Sequence, residues 1–306
     1  MIQSLKYDNP QFQVEVDWDI TQRCNYSCSY CASYDNDQPF YFKSLEEYIE
    51  SFKYLSEYFG NKTIKLNFLG GEPTLFKQWV KLVNWLADYN YKPILTTNLS
   101  VPCIKYVRVL NPRLERFIIA SYHGEFAKLE EFYNNCKILS ANNNLNCITL
   151  LADPKNWDYT MYCYKKLSEV GLVNLTRIKQ EFTSSYSISG GWVDYTEEQL
   201  KEFQKNPTVD ECFTLCTDDK TLHPSVSEIR NKYSNFKGMK CAVGKNRLQV
   251  KPNGDVYPSA CLLNYPKAKM GNIYEKNIIK AKSAVTCPFN ECLCGPDIRI
   301  EKWAQV

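Results

Sequence analysis

A chain of 306 residues with 37 basic and 34 acidic side chains carries a formal charge of +3. That near-balance excludes the strong basic footprint of a nucleic-acid or anionic-membrane binder, and no apolar run reaches the length of a membrane span. Apolar residues make up 44% of the chain, enough to bury one large core or a barrel with a small appendage. The stretch Met1 to Asp8 lacks the apolar run of a signal peptide, so the 14 cysteines point to a reducing cytosol and metal ligation rather than to disulfides.

Gln13 to Asp17 reads as a short strand with Val14 and Val16 on one face. Cys24, Cys28 and Cys31 follow at once, spaced C-x3-C-x2-C. Three such thiolates can hold three irons of a 4Fe–4S cluster and leave the fourth iron open for chemistry, whereas a closed four-cysteine site stores or passes electrons. On spacing alone, a zinc site, a disulfide framework and scattered core cysteines stand beside that reading. Ser44 then starts a helix, with Glu47 completing a capping box. Leu45, Tyr48, Ile49, Phe52, Leu55 and Phe59 form its apolar stripe, and Gly60 ends it.

Ile64, Leu66 and Phe68 alternate as a second strand that runs into Leu69-Gly70-Gly71-Glu72-Pro73. Trp79, Leu82, Val83, Leu86 and Tyr89 mark a second helix. Strands over 94–97, 117–121, 147–151 and 173–179, with helices over 127–139 and 157–170, continue the alternation. Six β/α units imply parallel pairing and an α/β fold, short of a closed eightfold barrel. Cys103, Cys136, Cys147 and Cys163 fall within these elements and are expected in the core.

Beyond about residue 185 the pattern changes. Helical signal returns over 196–204, capped by Thr196. Arg247 to Lys251, Asn253-Gly254 and Asp255 to Tyr257 read as a β-hairpin bracketed by Cys241 and Cys261. A last cysteine set, Cys287, Cys292 and Cys294, lies near the C-terminus, and Cys212 and Cys216 form a C-x3-C pair between the two regions.

The cysteine loop after the first strand, with Gly-Gly-Glu-Pro after the second, resembles the radical S-adenosylmethionine (SAM) superfamily over roughly residues 12 to 180. The resemblance implies a partial (β/α)6 barrel over 12–185. In it Cys24, Cys28 and Cys31 would ligate a 4Fe–4S cluster whose open iron is chelated by SAM. One electron would split the sulfonium, and the 5′-deoxyadenosyl radical would take a hydrogen from substrate. The protein would position the cofactor and exclude water. Gly70 and Gly71 would let backbone approach that cofactor, and Glu72 would accept from its ammonium group. Tyr30 would pack beside the adenine. Thr97, Asn98 and Ser121 end strands where the family touches SAM, although Leu99 replaces the usual glycine after Thr-Asn. His123, just past Ser121, would face the cavity.

The C-terminal part resembles the auxiliary-cluster appendage called SPASM, or its shortened form, twitch. The matching residues are Cys241-Ala-Val-Gly244, the hairpin over 250–258, and Cys261. That implies a bridging segment over 186–239 and a small β-hairpin/helix domain over 240–306. Cys241, Cys261, Cys287, Cys292 and Cys294 would supply the ligands of a second 4Fe–4S cluster, one of the five being spare; structural zinc is the other reading. Cys212 and Cys216 are candidate hydrogen donors for an epimerase. The expectation is a cytoplasmic radical SAM enzyme, served by a flavodoxin- or ferredoxin-type reductant, that epimerises or dehydrogenates a small molecule such as a sugar or aminoglycoside. A maturase that epimerises or cross-links a ribosomal peptide is the alternative within the family. A non-catalytic zinc-stabilised binding protein is the alternative outside it.

Overall fold

The computed structural model describes residues 1–7, 14–31, 42–178, 193–205, 213–263, 265–292 and 295–305, so Cys212 and Cys294 lie outside the described residues. The chain divides into two compact units, one of Asp17–Lys53 with Lys65–Pro207, the other of Met1–Val16, Tyr54–Ile64 and Thr208–Val306. Among the described residues no helix is long and apolar enough to cross a membrane.

A strand β1 (Ile2–Tyr7) comes first and belongs to the second unit. Then follow β2 (Val14–Thr21), α1 (Leu45–Tyr58), β3 (Ile64–Gly70), α2 (Trp79–Ala87) and β4 (Tyr91–Thr97). β5 (Ile118–Tyr122), α3 (Leu129–Ala141), β6 (Leu145–Ala152), α4 (Trp157–Leu167), β7 (Val173–Arg177) and α5 (Glu197–Gln204) complete the series. The strands lie in the order β2-β3-β4-β5-β6-β7, with β4, β5, β6 and β7 parallel in the pairings Leu95↔Ile118, Ala120↔Ile148 and Thr149↔Asn174. This is the α/β partial barrel expected from the alternation. Between β4 and β5, two 3-10 turns at Cys103–Lys105 and Val107–Val109 stand where a helix would complete the repeat.

Aromatic packing fixes which strand face meets the helices. Phe52 of α1 is fully buried. Its ring lies 4.7 Å from Trp18, 6.0 Å from Phe68 and 5.5 Å from Tyr91, reaching β2, β3 and β4 from one helix position. Because strand side chains alternate, Asp17 and Asp19 lie on the face opposite Trp18. Ser121 likewise lies opposite Tyr122, whose ring packs 5.1 Å from Phe132 of α3. The helices cover one face of the sheet, and the other carries polar residues. The capping box of α1 forms as the sequence predicts, with Glu47 N–H on Ser44 Oγ at 3.1 Å and Ser44 N–H on Glu47 Oε2 at 2.9 Å. Cys103, Cys136 and Cys163 are fully buried and Cys147 nearly so, as expected.

The second unit is built from β8 (Phe213–Thr217), β9 (Thr221–Leu222), α6 (Val226–Lys232), β10 (Lys240–Cys241), β11 (Arg247–Val250), β12 (Asp255–Tyr257), β13 (Gly271–Asn272), β14 (Val285–Thr286), α7 (Gly295–Ile298) and β15 (Lys302–Trp303), together with β1. A six-stranded sheet runs β14-β10-β15-β1-β8-β9. Its core is Leu5, Phe213, Leu215, Ile229, Phe236, Met239 and Ile298. β11 and β12 form the predicted hairpin, in register Gln249↔Tyr257 and Val250↔Val256. Its turn is tightened by Gly254 N–H on Lys251 O at 2.9 Å, with Gly254 at φ +87. Pro252 and Asn253 are its central residues, and the glycine after them takes the left-handed conformation. A Cβ at Gly254 would sit 2.3 Å from the Tyr274 ring, so steric fit joins the dihedral in requiring glycine.

Candidate active site

The cysteine loop leaves the end of β2 and is held by the ends of the two neighbouring strands. Gly71 N–H donates to Thr21 O at 2.7 Å and Glu72 N–H to Arg23 O at 2.9 Å, so the backbone after β3 is bonded to the residues just before Cys24. A Cβ on Gly70 would lie 2.0 Å from Thr21 O, and one on Gly71 2.1 Å from Arg23 O. Gly70 also adopts φ +116. The two glycines therefore serve a close approach of backbone to backbone, in addition to any approach to a ligand that the sequence suggests. Gly71→Ala forces the cysteine loop away, because the clash is with main chain. Its expected result is loss of the iron that the Cys24–Cys31 loop takes up on reconstitution, with the fold retained by circular dichroism; full iron content would sink this account.

Glu72 is 1% exposed. Its Oε1 accepts from Thr74 N–H at 3.0 Å, Thr74 Oγ1 at 2.5 Å and Thr97 Oγ1 at 2.8 Å, and its Oε2 accepts from Asn98 N–H at 2.8 Å. Burial pushes the carboxyl pKa up, and these bonds pull against it. The carboxylate thus ties the start of the turn after β3 to the end of β4, a role the sequence reading did not foresee. Asn98 passes the tie onward: its Nδ2 donates to Asn25 Oδ1 at 3.0 Å and reaches Cys24 Sγ at 3.8 Å. Tyr26 N–H donates to the same sulfur at 3.4 Å. Leu99, where the resembled family has glycine, takes φ +53 and is buried, so the left-handed backbone is kept despite a side chain that disfavours it.

From the other side, the loop after β5 grips the cysteine loop. Glu125 accepts from Ser29 N–H at 2.8 Å and from the Ser29 hydroxyl. Tyr30 OH meets His123 Nδ1 at 3.2 Å, with the two rings stacked 6.1 Å apart, and Tyr26 stacks on Phe126 at 5.3 Å. No local pattern marks Asn25, Tyr26, Glu125 or Phe126, and only folding brings Glu125 and Phe126 to the loop. Burial pushes the His123 imidazolium pKa down to about 4 from 6.5. The unfolded chain takes up this proton near pH 6.5 while the folded chain holds out to about pH 4, so stability falls as pH drops through that window, by up to about 3 kcal/mol. Urea denaturation at pH 7 and pH 4.5 measures the loss. His123→Gln is expected to flatten it, and equal losses in both proteins would discard the assignment.

Burial raises the thiol pKa values of Cys24 and Cys28, the latter to about 11, with Tyr26 N–H and the Tyr30 hydroxyl opposing in turn. Such sulfurs would become thiolates on binding a metal centre. Two N–H donors on Cys24 Sγ suit a cluster thiolate, whose potential such bonds tune. Cys31 is exposed. No three His, Cys, Asp or Glu side chains among the described residues gather tightly enough for a single metal ion.

In the second unit, Cys241, Cys261, Cys287 and Cys292 line the region between β10, the turn after β12, β14 and α7. Cys241 packs with Leu262 and Ile300, and Cys261 lies against that group. Cys287 and Cys292 lie against the neighbouring core of Phe236, Met239 and Ile298. Each of Cys241, Cys261 and Cys292 lies within electrostatic reach of at least two others of the four, a donor set that suits a thiolate-ligated cluster. Cys216 sits half-buried in β8, its Sγ 3.9 Å from Thr221 Oγ1.

The family profile of the Radical SAM superfamily matches residues 18–113. Residues 18–113 form a radical SAM domain. The cofactors of that family are a 4Fe–4S cluster and SAM. The chain also shows a sequence likeness to the S-adenosylmethionine-dependent nucleotide dehydratase of Selenomonas ruminantium, 32% identical over 101 residues. That stretch is 33% of this chain and 32% of the relative, so the chain spans about a third of the curated relative it matches. Among solved structures, Streptococcus suis SuiB bound to S-adenosylmethionine superposes with a TM-score of 0.57 at 14% identity, over 86% of this chain and 64% of that one. Native anSMEcpe with bound AdoMet gives 0.56 at 15% identity, over 86% and 79%. At such identities the likeness is one of fold.

Proposed function

We propose that this chain is a radical SAM enzyme that acts on a polar small molecule. The observation that carries the reading is the bonding of Gly71 and Glu72 to Thr21 and Arg23, just before the cysteine loop, and of Asn98 to Asn25 and Cys24 within it. Cys24, Cys28 and Cys31 would hold a 4Fe–4S cluster, which together with SAM would supply the one-electron chemistry that ends in hydrogen abstraction from substrate. The residues do the rest. Asn98 and Tyr26 orient and hydrogen-bond the Cys24 sulfur, and Gly70 and Gly71 keep the approach open. Glu72 fixes the ends of β3 and β4 so that Thr97, Asn98 and Ser121 can line the cofactor. Tyr30, held by His123, closes the adenine side.

The substrate class rests on the inner face of the sheet. Asp17 accepts from Asn67 Nδ2 at 2.6 Å, and Ser121 pairs with Thr149 on the same face. Buried carboxylate, amide and hydroxyl groups suit a hydroxylated molecule such as a sugar, aminoglycoside or nucleotide, the last in keeping with the name of the Selenomonas relative. Epimerisation or dehydrogenation is the outcome we assign. Epimerisation requires a hydrogen donor, for which Cys212 and Cys216 are this chain's candidates. Residues 12–185 are the barrel, 186–239 a bridge, and 240–306 a twitch-like domain whose Cys241, Cys261, Cys287, Cys292 and Cys294 provide the ligands of a second cluster. A flavodoxin- or ferredoxin-type protein of the cytoplasm is the reductant.

Anaerobically reconstituted protein is tested with SAM and dithionite for 5′-deoxyadenosine, then with panels of nucleotides, amino sugars and peptides. Stimulation by a nucleotide or amino sugar is expected. A colourless zinc protein that forms no deoxyadenosine would sink the enzyme reading, and stimulation by peptides alone would replace the substrate class.

A further inference from the structure

Lys302 is 1% exposed, and its Nζ donates to Asp297 O at 2.7 Å, Ile298 O at 3.3 Å and Ile300 O at 2.8 Å. Three acceptors use all three N–H groups of an ammonium, one more than a neutral amine offers. The aromatic face of Phe236 lies 5.1 Å from the same nitrogen. Among the described residues no carboxylate oxygen is a hydrogen-bond partner of this nitrogen, and a buried ammonium is costly without a counter-charge. The buried carboxylate of Asp297 faces the equally buried Arg247 at 3.6 Å and accepts Cys261 N–H at 3.2 Å, while the Lys302 ammonium rests on main-chain carbonyls.

Cysteine sulfurs are adjacent. Lys302 is the direct cross-strand partner of Cys241 in the β10–β15 pair, which puts the two side chains on one face with Cβ atoms about 5 Å apart. Its charge also reaches Cys292. We infer that the Lys302 ammonium is the buried counter-charge of the centre held by Cys241, Cys261, Cys287 and Cys292, and that with Asp297 it sets that centre's reduction potential. This rests on the auxiliary-cluster reading. One-electron reduction adds a negative charge to an already anionic, buried cluster. A fixed cation beside it favours the reduced form and a fixed anion opposes it.

The test is a potentiometric titration of the reconstituted full chain, followed by electron paramagnetic resonance, with iron and zinc counted per chain. Lys302→Gln is expected to make the auxiliary potential more negative by at least a tenfold change in the reduction equilibrium, about 59 mV for one electron. Asp297→Asn is expected to move it the opposite way, and Lys302→Arg to leave it near the wild-type value. Opposite signs at two adjacent residues separate charge from general loosening, and Asp297→Asn still reads the effect if Lys302→Gln does not fold. A second cluster with unchanged potentials overturns the inference and leaves the cluster reading intact. Zinc, or no second cluster, in the wild type overturns both.

Discussion

Replacing Cys24, Cys28 and Cys31 together with alanine is expected to abolish 5′-deoxyadenosine formation and to remove about four irons per chain, while iron held by the cysteines after residue 240 stays bound. The three thiols sit in one loop that is anchored from outside itself, by Gly71, Glu72, Asn98 and Glu125. Alanine at the three positions leaves those anchors in place, so the fold should survive. Thermal denaturation of the metal-free protein checks this, with a change in midpoint of a few degrees at most expected. Continued formation of deoxyadenosine in the triple variant would show that another set of ligands holds the reactive cluster. Loss of all iron would show that the two cysteine sets are coupled.

Glu72→Ala has the second large effect, and it divides two accounts of the residue. The carboxylate satisfies two buried backbone N–H groups and two hydroxyls. Removing it leaves those donors without a partner at about 1–3 kcal/mol for each buried group, on the order of 4 kcal/mol in all. Urea denaturation of the metal-free protein should register that loss, with weaker cluster retention because Asn98 is no longer fixed against Asn25 and Cys24. Glu72→Gln keeps one acceptor oxygen but turns an amide toward Asn98 N–H or the Thr donors, so it should fall about midway. If Glu72→Ala were as stable as wild type yet bound SAM far more weakly, the carboxylate would face the cofactor, and its hydrogen bonds to Thr97 and Asn98 would be secondary.

The barrel helices were legible because their signals are local, whereas α6 (Val226–Lys232) was missed. The Ser44–Glu47 box and the stripe from Tyr48 to Phe59 lie within one helix, and both form as read. Strand ends were less legible. β2 runs on to Thr21 past the predicted end at Asp17, because Trp18 and Ile20 continue its helix-facing side while Asp17 and Asp19 disguise the strand with charge. β4 begins at Tyr91 instead of Ile94, the start hidden by Pro93. β1 was missed altogether: Ile2–Tyr7 has one buried residue, Leu5, and its pairing partners lie some 200 residues and more along the chain.

Cysteine spacing, the Gly-Gly-Glu-Pro turn, the β/α alternation and the Asn-Gly hairpin are written in the chain, since each depends on neighbours a few residues apart. What those residues lean on emerges with folding. Gly70 and Gly71 face the backbone of Thr21 and Arg23; Glu72 is spent on Thr74, Thr97 and Asn98; Glu125 holds Ser29 from 96 residues away. Lys302 meets Cys241 through a strand pair formed across the whole C-terminal region. The physical reason is one of range. Propensity and spacing act within a turn of chain, whereas burial, close approach and the compensation of buried charge depend on which distant segments folding brings side by side.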